Sequence, residues 1–296
     1  MATATPHPDG LASPPPNPKP RTSVFSPPAD SCNSHCHIFG PFDRYPLPED
    51  RSFTPSEAPE TELRRIDSHF GFSRAVFVQS QGHGWDHQPV IDALATGRDR
   101  YRAVALIRAD TDPSEVRRLD AAGFCGARFS FMTHLGFPDL SEVRAAMALV
   151  RPYDWHIAIH VSGNGLVEME EFIRSIEAPV VIDHMGRPDA KEGADSPAML
   201  AMRRLLDTGR VWVKLSGADR LSEQKLPYTD ALPIASSIAA HAPERTLWGS
   251  DWPHVNLHGP MTDDACLVDL IPQMVPSAAA RHRMLVTNPA EFFRFG

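Results

Sequence analysis

The sequence has few cysteines, no long apolar run and no concentration of positive charge. Its four cysteines, at positions 32, 36, 125 and 266, lack CxxC spacing, so reduced thiols in a cytoplasmic protein are predicted rather than a disulfide framework. No run reaches the roughly 18 consecutive apolar residues that a membrane-spanning helix needs. The basic residues are scattered and the net charge is −8, which argues against a nucleic-acid surface.

The N-terminus also lacks the basic and then apolar pattern of a secretory signal. Residues 1–28 instead contain nine prolines and almost no apolar periodicity. This composition predicts a disordered or extended tail that is not part of the fold. A single domain is predicted over residues 29–296.

Within that domain, short apolar or β-branched runs alternate with helix-like amphipathic stretches. The runs lie at 32–38, 74–80, 101–108, 126–132, 156–162, 179–183, 211–216 and 246–250. The helical candidates lie near 59–70, 87–97, 113–122, 139–150, 165–175, 196–208, 228–241 and 262–274, with a last one near 277–287. Strands that alternate with helices predict parallel pairing and right-handed crossovers.

Eight such units fit an α/β fold of the (β/α)8 barrel type, and the length suits a barrel as one domain. An open doubly wound sheet would carry a Gly-rich phosphate turn after the first strand. This chain has His35-Cys36-His37 there, so the barrel is favoured. The long segment at 39–58 carries aromatic residues and is predicted to be a loop that covers the barrel mouth.

Active sites of such barrels form at the carboxyl ends of the strands. His35 and His37 are two residues apart on a strand, so their side chains point to the same side. The other strand ends and the loops after them supply the remaining polar candidates: Gln81, Arg128, His134, His160, His184, Arg187, Arg220, Asp251 and His254.

These residue types divide into three chemical roles. Asp251 is the candidate base, because a carboxylate near cationic groups stays ionised and can accept a proton from water. Histidines donate hydrogen bonds to a developing oxyanion or bind a metal. Arg128 lies inside an apolar run and needs an anionic partner, for which a bound carboxylate is a natural choice. The set therefore predicts hydrolysis of a carbonyl compound that carries carboxylates.

The motifs SHCHIFGP, RSFTPSEAP, GARFSF, IDHMGRP, WVKLSGADRLS, LWGSDWPH and TNPAEFFRF extend this interpretation. Over roughly residues 30–296, the chain resembles the amidohydrolase superfamily and, within it, the 2-pyrone-4,6-dicarboxylate hydrolase family. The resemblance implies a (β/α)8 barrel that hydrolyses a lactone in aromatic or sugar-acid catabolism. It implies that Asp251 deprotonates the water. It further implies carbonyl polarisation by His35, His37 and His184, and carboxylate binding by Arg128, Arg187 and Arg220.

Two departures from the family pattern affect the expected substrate. The family pattern implies an arginine and a tyrosine where this chain has His134 and His160, which weakens the case for a pyrone dicarboxylate but leaves lactone hydrolysis intact. Gln81, His134, His160 and His254 complete the predicted substrate-binding set. An isomerase group in the family has asparagine where this chain has Asp251, so hydrolysis is favoured.

The metal requirement stays open at this stage. Binuclear relatives use a bridging lysine on strand four, where this chain has Arg128, and a guanidinium does not bind metal. The sequence therefore favours a site that requires no cofactor. The alternative is one Zn²⁺ or Mn²⁺ on His35, His37, His184 and Asp251.

Two other functions compete with lactone hydrolysis. One is a metal-dependent decarboxylase, and the other is a lactone-binding barrel without turnover. The predicted partner is a small carboxylated lactone, with no nucleic acid and no membrane. The chain is expected to act as a monomer or a small homo-oligomer.

Overall fold

The eight predicted runs form one sheet of eight parallel strands in chain order. In the computed structural model, which describes residues 12–51, 53–132, 137–224, 226–257 and 260–295, the sheet curls into a nearly closed barrel. The predicted (β/α)8 fold is confirmed. The strands are β1 Cys32–Cys36, β2 Arg74–Val78, β3 Tyr101–Ala105, β4 Phe124–Ser130, β5 His156–His160, β6 Val180–Ile182, β7 Val211–Lys214 and β8 Thr246–Leu247.

Helices follow the strands around the outside of the barrel. They are α1 Glu60–Phe70, α2 Gln88–Ala95, α3 Pro113–Ala122, α4 Leu140–Val150, α5 Gly165–Glu168, α6 Glu170–Arg174, α7 Pro197–Leu206, α8 Ala218–Leu221, α9 Leu232–His241, α10 Asp264–Met274, α11 Ala278–His282 and α12 Asn288–Phe292. Asp112 caps α3 by accepting a hydrogen bond from the Ser114 amide, and a proline at the first helical position suits this cap. Among the described residues, no helix has the length and apolarity to cross a membrane.

The barrel closes where the chain after β8 meets β1. The Ser34 amide donates to the Trp248 carbonyl at 2.8 Å, and the Asp251 amide donates to the His35 carbonyl at 2.9 Å. Gly249 lies between these bonds, and a Cβ added there would be 2.5 Å from the His35 Cβ and amide nitrogen. Only glycine permits this approach, which brings Asp251 beside the histidines of β1.

Two apolar layers stabilise the barrel. The larger layer lies between the strands and the helices and includes Cys36, whose thiol therefore faces away from the barrel interior. The smaller one fills the interior and includes Phe293 and Phe295 from the C-terminal segment. This segment therefore packs back on the barrel.

Residues 12–28 lie along the barrel without helix or strand. The Ser13 amide donates to the Thr54 carbonyl at 2.8 Å, and the Val24 amide donates to an Asp269 carboxylate oxygen at 2.6 Å. These hydrogen bonds connect the segment to the barrel. Residues 1–11 of the predicted tail lie outside the described residues.

The loop at 39–58 is anchored at both ends. Phe39 and Ala58 exchange backbone hydrogen bonds of 2.8 Å in both directions. The Phe39 ring stacks on His83, whose Nε2 accepts a hydrogen bond from the Gly40 amide. These contacts join the loops that follow β1 and β2.

Candidate active site

The four residues predicted to be catalytic meet at the carboxyl end of the barrel, and all four are buried. The Asp251 Oδ1 lies 3.3 Å from the His37 Nε2, 3.6 Å from the His35 Nε2 and 3.8 Å from the His184 Nε2. These side chains come from β1 and the residue that follows it, from the turn after β6 and from the turn after β8. One carboxylate oxygen therefore faces three imidazoles.

Tight turns aim two of these side chains into the barrel. His184 and Asp251 both have left-handed backbone conformations, with φ values of 51° and 61°, which are uncommon for residues other than glycine. Gly217 packs against His184, and a Cβ there would lie 3.1 Å from the His184 Cβ. The His184 Nδ1 lies 2.9 Å from the Ser216 hydroxyl, which fixes the ring from behind.

Arg220 holds the other oxygen of the base. Its Nε donates a hydrogen bond to the Asp251 Oδ2. Burial opposes ionisation of this carboxyl, but Arg220, His184 and a hydrogen bond from His37 outweigh it and hold the pKa of Asp251 well below its usual range. Asp251 is therefore an ionised carboxylate with one oxygen directed at the histidines.

The Arg187 guanidinium forms no ion pair with a carboxylate within the described part of the chain. Burial and the neighbouring Arg220 lower its pKa, because both disfavour a further cation in this space. A half-buried guanidinium without a partner suits a bound anion such as a carboxylate.

Arg128 has an anionic partner within the protein, whereas the sequence suggested a bound carboxylate. Its Nε donates to the Asp183 Oδ2 at 2.8 Å, so a substrate carboxylate is not required to balance it. Asp183 is fully buried, and its Oδ1 also lies 3.1 Å from the Nζ of Lys214. Burial opposes ionisation of Asp183, but Lys214, His35 and Arg128 hold its pKa well below the usual value.

Lys214 is the residue that the sequence analysis missed. It is the last residue of β7 and has no exposed surface, and its Nζ lies 3.1 Å from the His35 Nδ1. The signal was present in the sequence, because a lysine inside an apolar strand needs a partner as much as Arg128 does.

The remaining predicted substrate-binding residues have different surroundings. The His160 ring lies 5.6 Å from the His184 ring, and its Nδ1 is 3.3 Å from the Ser130 hydroxyl. Burial and Arg128 lower the pKa of His160 well below its usual value. Gln81 lies in the turn after β2 and is partly exposed. His134 lies outside the described residues.

His254 does not have the role that its position in the sequence suggested. Its ring is fully buried, with Nε2 3.0 Å from the Asp264 Oδ1 and Nδ1 3.5 Å from the Asp219 Oδ2. Burial opposes protonation, but the two carboxylates raise the pKa of His254 to about 10. Because both ring nitrogens face carboxylates, His254 stabilises the turn after β8 and is removed from the substrate-binding set.

A divalent metal would find donor atoms here but unsuitable charge. His35, His184 and Asp251 each offer one ligand atom, all within 4.8 Å of one another, which is compact enough for one ion. However, Arg220 already holds the Asp251 Oδ2, and Lys214 and Arg187 add positive charge nearby. Cations at this range oppose a doubly charged ion.

The histidines are in the form that hydrogen-bonding chemistry requires. Burial lowers the pKa of His184 to about 4, and burial together with Lys214 lowers that of His35 well below its usual value. Both rings are thus neutral near pH 7, and each can donate one N–H. An ionised carboxylate beside neutral donors and guanidinium groups can add water to an anionic carbonyl compound.

Comparison with known proteins places this geometry in a family. The family model described as Amidohydrolase matches residues 32–295. The chain is 34% identical to the 2-pyrone-4,6-dicarboxylate hydrolase of Comamonas testosteroni, with 93% of each chain covered. It is 33% identical to the D-galactarolactone isomerase of Agrobacterium fabrum, over 90% of this chain and 92% of the relative. The apo crystal structure of Agrobacterium tumefaciens ATU3138 superposes with a TM-score of 0.81 at 32% identity, over 92% of this chain and 98% of that one.

Proposed function

This chain belongs to the amidohydrolase family, and from that premise we propose that it is a lactonase that opens a carboxylated lactone with water activated by Asp251. Curated relatives named as lactone hydrolases match more than nine-tenths of the chain. The single observation that carries the proposal is the placement of one ionised carboxylate oxygen within 3.8 Å of three buried imidazoles.

The proposed reaction adds one water across the ring ester. Water attacks the lactone carbonyl carbon while Asp251 Oδ1 takes one of its protons. The carbonyl oxygen becomes an oxyanion, which N–H groups of the neighbouring histidines stabilise. The ring C–O bond then breaks, and the proton held by Asp251 goes to the departing ring oxygen. The product is the open-chain acid, and the carboxylate returns to its ionised form.

The Arg220 contact gives the base a way to respond to substrate. While Arg220 neutralises Asp251, the low pKa of the carboxyl makes it a weak base. A substrate carboxylate that accepts hydrogen bonds from Arg220 shares this charge and raises the basicity of Asp251. Binding and activation are thereby coupled through one guanidinium group.

The arginines also limit the substrate class. Arg187 and Arg220 lie near the base and can bind a carboxylate, whereas Arg128 is committed through its Nε to Asp183. A lactone with at least one carboxylate fits this arrangement. The positive surroundings of the donor set support a reaction that needs no metal, and substrates from aromatic or sugar-acid catabolism meet these requirements.

Isomerisation of a lactone is the second candidate, because one close relative is named an isomerase. An isomerase moves the acyl group between two hydroxyls of one molecule and adds no water. The ionised Asp251 facing the histidines favours hydrolysis, since it can accept a proton from water.

The experiment is a lactone panel in ¹⁸O-labelled water. Purified protein treated with chelator is offered 2-pyrone-4,6-dicarboxylate, sulfomuconolactone and aldarolactones, and the products are analysed by mass spectrometry. Hydrolysis is expected to place one ¹⁸O in the new carboxylate of one substrate. Ring migration without label would favour the isomerase. Release of carbon dioxide that returns only with added metal would favour a decarboxylase, and binding without turnover would leave a non-catalytic barrel.

A further inference from the structure

Lys214 takes no part in the proposed hydrolysis, yet it contacts His35 directly. Its Nζ lies 3.1 Å from the His35 Nδ1 and 3.1 Å from the Asp183 Oδ1, with all three side chains fully buried. An ammonium group has three donors and no acceptor. In a hydrogen bond between Lys214 and His35, the imidazole Nδ1 must therefore accept. The one proton of the neutral ring is then on Nε2.

We propose that Lys214 is a positioning residue that fixes the tautomer of His35 and keeps an Nε2–H donor directed at the reaction site. The Nε2 is the ring atom that faces Asp251, at 3.6 Å from Oδ1. It has no hydrogen-bond partner among the described residues although it is buried. A buried donor without a partner is costly unless a ligand supplies one, and an oxyanion is such a ligand. This catalytic consequence rests on the proposed function, whereas the tautomer does not.

The second histidine of the pair has a different partner at Nδ1. The His37 Nδ1 lies 2.8 Å from the Val78 carbonyl oxygen, and a carbonyl can only accept. His37 therefore donates from Nδ1, and its Nε2 lies 3.3 Å from the Asp251 Oδ1. Two histidines that face the same carboxylate thus have different partners at Nδ1. The Lys214 ammonium contacts the His35 Nδ1, whereas a backbone carbonyl contacts the His37 Nδ1.

Without Lys214, the other tautomer of His35 has a ready acceptor. The Asp183 Oδ1 lies 3.3 Å from the same Nδ1, and Asp183 keeps its 2.8 Å bond to Arg128. An Nδ1–H would donate to Asp183, as many metal-binding histidines donate to a carboxylate. The His35 Nε2 lone pair would then face the site, in the donor set with His184 and Asp251. Lys214 therefore selects hydrogen-bond donation over metal binding.

The wild-type protein gives the first test. Nitrogen NMR of ¹⁵N-histidine-labelled protein near pH 7 distinguishes the two neutral tautomers, and His35→Gln identifies the His35 signals. The expected result is a neutral ring protonated on Nε2. A ring protonated on Nδ1, or on both nitrogens, would overturn the proposal whatever the substrate is.

Substitution of Lys214 gives the second test. Lys214→Met removes the donor, and Lys214→Gln has the same side-chain length as Met but keeps an N–H. In Lys214→Met, the His35 proton is expected to move to Nδ1. The kcat is expected to fall about 10²-fold, as when one oxyanion donor is lost, while KM should change little. Calorimetry is expected to detect Zn²⁺ binding at one site that the chelator-treated wild type lacks. Lys214→Gln is expected to keep the wild-type tautomer and recover part of kcat.

Lys191→Met is the matched surface control, because its ammonium pairs with Glu223 in solvent and should change none of these readouts. A Lys214→Met protein with the wild-type tautomer and full kcat would refute the inference. If that variant does not fold, the wild-type nitrogen spectrum and the tautomer and kcat of Lys214→Gln still test the inference. A correct tautomer in a protein that opens no lactone would refute the proposed function alone.

Discussion

Gly249→Ala tests whether the close approach of β1 and the chain after β8 assembles the site. The added Cβ would lie 2.5 Å from the His35 Cβ and amide nitrogen, whereas ordinary contacts begin at 3.4 Å. The two segments must therefore separate by about 0.9 Å, taken as the difference of these two distances. The obstructing atoms belong to the backbone and the Cβ of a buried strand, so a side-chain rotation cannot relieve the overlap.

Two effects of this separation can be measured. Overpacking of this kind costs about 1–3 kcal/mol, which denaturant unfolding will detect. Displacement of catalytic groups by about 1 Å costs on the order of 10²-fold in rate, so kcat on the identified lactone should fall by that factor. The hydrogen bond from the Asp251 amide to the His35 carbonyl spans the same gap. Its weakening moves the Asp251 carboxylate away from the histidine donors.

Gly97→Ala is the matched control. Its Cβ would lie 2.7 Å from the Tyr101 ring, near the amino end of β3 and far from Asp251. It should destabilise the protein and leave kcat unchanged. A Gly249→Ala enzyme that is destabilised to the same degree but keeps full kcat would refute the idea that strand closure positions Asp251.

Two further predictions concern charge. Arg187→Met is expected to raise KM about 10- to 100-fold with little change in kcat, because it removes a charge-assisted bond made to bound substrate before reaction; an unchanged KM would exclude a carboxylate contact. The pKa of His254, raised to about 10 from the usual 6.5, gives stability that is full below pH 6.5 and is lost as the pH rises through 10. Denaturant unfolding at pH 6 and pH 10 should show this loss as a difference in the free energy of unfolding. In His254→Gln this difference should be smaller. An equal difference in the wild type and the variant would contradict the assignment of this stability to His254.

The fold was predictable because each strand and helix has its own local pattern. The apolar runs were long enough to identify all eight strands, and Asp112 marked the start of α3 as its cap. The closure of the barrel had no such signal. β8 has only two residues, and the role of Gly249 depends on how closely another strand approaches it.

The candidate site was predictable only in part, for the same reason. His35, His37, His184 and Asp251 were found because parallel strands bring their carboxyl ends together. Lys214 was missed because its partners Asp183 and His35 come from other strands, although its place in an apolar run was a usable signal.

His254 shows the opposite error. His254 follows Asp251 closely in sequence, but its left-handed conformation, with φ 59°, turns the ring toward Asp264 and Asp219. The position of His254 in the sequence indicated that it follows the end of β8. The direction of its side chain depends on the backbone conformation of the turn.

The most direct measurement is the rate of chelator-treated protein with Asp251→Asn on the lactone that the wild type opens. Asp219→Asn is the control, because that buried carboxylate pairs with His254 and not with the histidines of the site. Full wild-type kcat without metal, a loss of about 10²- to 10⁴-fold in Asp251→Asn and a kcat near wild type in Asp219→Asn are predicted. Equal rates for wild type and Asp251→Asn, or wild-type activity that returns only with added Zn²⁺ or Mn²⁺, would contradict Asp251 as a base that acts without metal.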